Sequence, residues 1–72
     1  SSDLINIESE IDRLTKEKSK YIAQTTGIES RLSNSAFINN APGHIVVSDE
    51  QKLKELKVQI SKIDEQIKNF SK

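Results

Sequence analysis

The sequence predicts an all-α protein: a single two-helix antiparallel coiled-coil hairpin. Three observations predict it. Apolar residues recur in alternating steps of three and four in both halves of the chain. A cluster of turn and breaker residues separates the halves. The composition offers no material for another kind of core: of 72 residues, 33% are hydrophobic and 4% aromatic, with no Trp, Met or Cys. A chain this short buries only about 60% of the surface its unfolded form exposes. Its aliphatic residues suffice for a seam between two helices and not for a globular interior.

Helix 1 is expected over about residues 3–33. Its core positions are Leu4, Ile7, Ile11, Leu14, Lys18, Tyr21, Thr25, Ile28 and Leu32, and only Lys18 and Thr25 are polar. This spacing keeps one stripe facing a partner helix. Gly27 lies inside the helix and weakens it by about 1 kcal/mol relative to Ala.

The connector is expected over residues 34–42, within a run that holds three Asn, the only Pro and, just beyond, Gly43. Ser33 and Asn34 are residues that stop or cap helices. Helix 2 is expected over about residues 43–70, with core positions Val46, Asp49, Leu53, Leu56, Ile60, Ile63, Ile67 and Phe70. Its start has two candidates. Pro42 suits a first helical turn, where its missing N–H costs nothing. Ser48-Asp49-Glu50-Gln51 fits a capping box.

A connection of this length favours antiparallel packing. The register that pairs most apolar positions sets Leu4 against Phe70, Ile7 against Ile67, Ile11 against Ile63 and Leu14 against Ile60. Tyr21 then meets Leu53, Ile28 meets Val46, and the polar Thr25 faces the polar Asp49. Lys18 opposes Leu56 and turns its ammonium outward. The midpoint falls at Phe37. Phe37, Ile38, Ile45 and Val47 are left over and form a small knob at the tip. Helices of this size make an arm roughly 45 Å long.

The chemistry is limited. Eleven basic and eleven acidic residues leave no net charge, so non-specific attraction to DNA or to a membrane surface is not expected. No apolar run reaches membrane-spanning length and no signal peptide is visible. The lack of Cys suits a reducing cytoplasm. A two-helix hairpin has no interior to form an active site, so this chain by itself is not expected to be an enzyme. His44 has no second His or Cys to form a metal site and reads as solvated or capping. Glu8 with Asp12, and Asp64 with Glu65, read as surface charges. Gly27 and Gly43 are isolated and form no phosphate loop.

The basic residues form local stripes. Arg13, Lys16 and Lys20 fall at i, i+3 and i+7 on one outer face of helix 1, and Lys54 and Lys57 are neighbours on helix 2. Such stripes suit a phosphate backbone, although a soluble coiled coil carries Lys and Glu outside in any case. No aromatic platform for stacking single-stranded bases is present.

Arg31-Leu32-Ser33-Asn34, Phe37-Ile38, Ala41-Pro42 and Val46-Val47 together resemble the centre of the C-terminal domain of bacterial valyl-tRNA synthetase. The opening Leu4-Ile5-Asn6-Ile7-Glu8 is similar to that family's opening, and the resemblance spans essentially the whole chain. The chain departs from the family pattern at Ser35, where Pro is usual, and at Gly43-His44, where acidic residues are usual. The resemblance implies a protruding, non-catalytic arm that leans on the tRNA elbow, where the D and T loops meet. Contacts to phosphate and ribose would dominate there. It further implies a cytoplasmic ligase whose other domains use ATP to attach valine to tRNA, with no cofactor held by this arm. The partners so implied are a valine-specific tRNA and the remainder of the synthetase. The candidate tRNA contacts, drawn from charge geometry, are Arg13, Lys16, Lys20 and Arg31, then Lys54 and Lys57. The alternative is a protein-interaction or dimerising coiled coil, and a hairpin this small is prone to weak self-association.

Overall fold

The structure, a computed structural model, describes residues 2–70. Among them are three helices and no strand: α1 (Ser2–Leu32), α2 (Ser35–Asn40) and α3 (Gly43–Phe70). The long helices α1 and α3 pack antiparallel, as the heptads require. The molecule measures 57 × 14 × 14 Å, longer than the expected arm, and the excess has a cause in the register.

α1 carries Asp3 in its first turn and Arg31 in its last, charges that suit the helix dipole. It ends on a tightening turn. The Ser33 N–H donates to the Glu29 carbonyl (3.0 Å) and the Asn34 N–H to the Arg31 carbonyl (3.1 Å). Asn34 then turns extended, with φ −87° and ψ 109°, and its side chain accepts from the N–H groups of Ala36 and Phe37. That is an N-cap satisfying donors a helix start leaves free. The connector is therefore not irregular: Asn34 starts a second, short helix where only a linker was expected. Ala41 ends it in an extended conformation, the conformation a following proline imposes.

α3 starts at Gly43, immediately after Pro42. The Pro42 carbonyl accepts from Ile45 (3.0 Å) and Val46 (3.4 Å), so of the two candidate starts the earlier one operates. Ser48 lies inside α3 and its capping-box pattern goes unused.

The seam positions are those expected, and the register is not. Leu14, Thr25, Ile28, Leu56 and Ile63 are buried. Yet Phe70 shares a cleft with Glu10, Arg13 and Leu14, and Leu4 is 57% exposed. Asp49 bonds Arg31, not Thr25. Lys18 reaches Asp64 at 2.6 Å and Lys57 reaches Glu29 at 3.5 Å. One register accommodates all of these contacts: Ile11 opposite Phe70, Leu14 opposite Ile67, Lys18 opposite Ile63, Tyr21 opposite Ile60, Thr25 opposite Leu56 and Ile28 opposite Leu53. It is displaced by one heptad, which returns the same residues to the same face.

The displacement comes from α2. Its six residues advance the chain by about 9 Å at 1.5 Å each, so α3 begins beyond the end of α1. The same shift leaves the first turns of α1 projecting past Phe70, with Leu4 and Ile5 exposed. Thr25 does not depend on Asp49, because its hydroxyl donates to the Ile22 carbonyl at 2.7 Å. The expected tip knob forms only in part. Phe37 is half-buried, Ile38 shares a cleft with Leu32 and Val46, and Val47 is 65% exposed. No helix among the described residues is long and apolar enough to cross a membrane.

Candidate nucleic-acid interface

All six candidate contacts, Arg13, Lys16, Lys20, Arg31, Lys54 and Lys57, lie on the exposed surface. The fold does not gather them in one place. In an antiparallel pair the positions flanking the seam form two edges. Arg13, Lys20 and Arg31 fall on one edge. Lys54 and Lys57 fall on the opposite edge, where they border the cleft formed by Leu32, Ile38, Val46, Glu50 and Leu53. Lys16 points outward from α1, beside Glu17, Lys20, Tyr21 and Gln24.

Four of the six are engaged by carboxylates. Arg13 bonds Glu10 at 2.9 Å and Glu17 at 3.4 Å. Lys16 meets Asp12 at 3.0 Å, and Lys57 meets Glu29. These pairs are exposed, and such pairs contribute at most about 1 kcal/mol, so a phosphate competes for the cation at little cost. The hydrogen bond and charge of Arg13 hold the Glu10 carboxyl below its ordinary range, and the Arg13 guanidinium is raised in turn.

Arg31 is held differently. It grips Asp49 through two bonds, Nε to Oδ2 at 3.0 Å and a terminal nitrogen to Oδ1 at 3.1 Å. Such forked bonds fix geometry as well as charge. Asp49 sits at a seam position with its side chain only 16% exposed. The hydrogen bond from Arg31 lowers the Asp49 carboxyl, and Arg31 is raised by the same bond. Arg31 therefore ties the end of α1 to α3 and is a structural clasp first.

Lys20 and Lys54 make no ion pair among the described residues. Neither do Lys62, further along the helix 2 stripe, and Lys52, which the charge stripes of single helices did not bring out. Lys52 borders a cleft with Tyr21, Glu55, Leu56 and Gln59, and Tyr21 also borders the cleft of Lys16, Lys20 and Gln24. Two shallow clefts with lysines from both helices thus meet at one tyrosine, whose hydroxyl lies 3.4 Å from Glu17. Heptad labels carried this signal: Gln24 and Lys52 both flank the seam on the same edge. Among the described residues no group of acidic, His or Cys side chains is arranged to hold a metal.

Comparison with known proteins agrees with this architecture. Residues 6–71 match the family described as the valyl tRNA synthetase tRNA binding arm. The valine–tRNA ligase of Clostridium acetobutylicum is 35% identical over 65 residues, covering 90% of this chain and 7% of that protein. That of Chlorobaculum tepidum is 38% identical over 60 residues, covering 83% of this chain and 7% of the relative. That of Geobacillus stearothermophilus is 43% identical over 49 residues, or 68% of this chain and 6% of the relative. The chain thus spans about 7% of the length of the relatives it matches. No solved structure matches. A hairpin of this form, matched over nearly its whole length, belongs to the valyl tRNA synthetase tRNA binding arm family.

Proposed function

We propose that this chain is the C-terminal tRNA-binding arm of a valyl-tRNA synthetase, a non-catalytic extension that leans on the elbow of the valine tRNA. The observation that carries the reading is the family match over residues 6–71 on a hairpin 57 Å long. An arm of that length reaches RNA far from the catalytic site of the enzyme it extends. Its weak exposed ion pairs and unpaired lysines suit phosphate and ribose rather than base edges. The arm holds no cofactor of its own. ATP and valine chemistry belong to the remainder of the cytoplasmic synthetase.

The arm supplies affinity by tethering. A surface with no net charge binds RNA weakly when free, and gains from the high effective concentration that attachment to the enzyme creates. The test is aminoacylation by the full-length synthetase with and without the arm, at several tRNA concentrations. The expected result is a large rise in KM for tRNA on deletion, with valine-dependent ATP–pyrophosphate exchange intact. Unchanged aminoacylation kinetics would sink the RNA reading.

A second reading, self-association, is favoured by Leu4 and Ile5, 57% and 66% exposed on the projecting first turns of α1. Sedimentation separates the two. Association through these side chains persists at high salt and is abolished by Leu4→Gln with Ile5→Gln, whereas RNA binding weakens steeply with salt.

A further inference from the structure

We propose that the arm meets RNA along the edge bearing Lys20, Gln24, Gly27, Arg31 and Lys52, with a stretch of ribose–phosphate backbone passing close over the bare helix surface at Gly27. This rests on the RNA-binding reading above and assigns that contact to one side of the hairpin.

Gly27 is the first observation. It lies inside α1, where glycine is disfavoured relative to any ordinary residue. Its backbone needs no glycine, since no residue among those described has positive φ. Packing needs none either: a Cβ added there meets nothing within 4 Å. Nothing inside the molecule accounts for the missing side chain, and close approach of an external chain does.

The surroundings are the second observation. Gly27 is one heptad from Lys20 and lies a helical turn from both Gln24 and Arg31 on the same edge. In the displaced register Gln59 of α3 flanks the seam beside Gln24 and Lys52 flanks it beside Arg31, and the clefts bordered by Lys20 and Lys52 meet at Tyr21. Lys20, Gln24, Lys52 and Gln59 are exposed and make no hydrogen bond or ion pair among the described residues. Their donors are free for phosphate and ribose oxygens.

The opposite edge is spent by comparison. Its Lys57 is paired with Glu29, and Lys18 turns to Asp64 there. The hydroxyls of Thr15 and Thr26 donate to their own helix at Ile11 and Ile22. Ile22 and Val47 expose aliphatic surface on it. Lys54 remains free there and borders a cleft with Gln51, Glu55, Val58 and Gln59.

The experiment places Gly27→Leu, Gly27→Ala and, on the opposite edge, Ser19→Leu in the full-length synthetase, beside the arm deletion. Open space at Gly27 and the exposure of Ser19 let all three fold, and ATP–pyrophosphate exchange reports that the enzyme is intact. Gly27→Leu is expected to raise KM for tRNA about ten-fold by holding the backbone off the edge. Gly27→Ala raises it less, and Ser19→Leu leaves it unchanged. Lys20→Gln with Lys52→Gln lowers the slope of log KM against log salt by about one to two. If deletion raises KM but Gly27→Leu does not, or Ser19→Leu is equally harmful, the edge is misassigned. If deletion itself changes nothing, the failure lies in the RNA reading.

Discussion

Leu56 is 2% exposed and Leu14 3%, whereas Leu4, also in the apolar stripe, is 57% exposed. Identical side chains therefore carry unequal energies. Leu56→Ala is expected to destabilise the hairpin by about 2–5 kcal/mol, and Leu4→Ala by about 0.5 kcal/mol or less, as read from denaturant midpoints. The Arg31–Asp49 clasp makes a second prediction at this scale. Asp49 has its carboxyl lowered by the Arg31 hydrogen bond. Its folded pKa lies below its unfolded value, so its stabilisation is fully present above about pH 3.9 and is lost as pH falls through the folded pKa. Thermal melts at stepped pH are expected to show stability falling in that acid range, with a shallower fall in Asp49→Asn. Glu10, lowered by Arg13, contributes a parallel loss that Asp49→Asn leaves in place.

Among the elements, α2 decides most. It is short enough to be unstable alone, since isolated helices below about 12 residues are marginal in water. It persists because Asn34 caps it and because Phe37 and Ile38 lie against the rest of the tip. Asn34→Ala is expected to cost about 1 kcal/mol, measured by denaturant titration, and Asn34→Asp or Asn34→Ser to restore most of it. The seam was legible in the heptads because burial imposes its period on the sequence. The role of Asn34 was legible only as a stop. Whether a capping residue ends one helix or begins another depends on what the following apolar residues find to pack against.

For the whole molecule the decisive quantity is the register. A slip of one heptad preserves every face, so hydrophobic pattern alone ranks such registers nearly equally. The predicted pairings of Leu4 with Phe70 and Thr25 with Asp49 were plausible on pattern for that reason. Cross-linking tests the outcome. In the displaced register Gln59 flanks Gln24, and in the undisplaced one it would flank Glu17. Gln24→Cys with Gln59→Cys is expected to form a disulfide readily under oxidation, and Glu17→Cys with Gln59→Cys to resist it. Packing of the two helices sets the six candidate cations on two edges, with the clefts bordered by Lys20 and by Lys52 meeting at Tyr21. Charge stripes on single helices could not show that arrangement, because it exists only between helices.

Periodicity and composition by themselves determined that this chain is a helical hairpin and which residues face its seam. They do so because apolar burial acts locally, turn by turn. Tertiary structure alone decided the register, the third helix and the Arg31–Asp49 clasp. Each of these depends on how far the connector carries α3 along α1 before packing begins, a distance set by the fold of the tip and invisible to any repeat of seven.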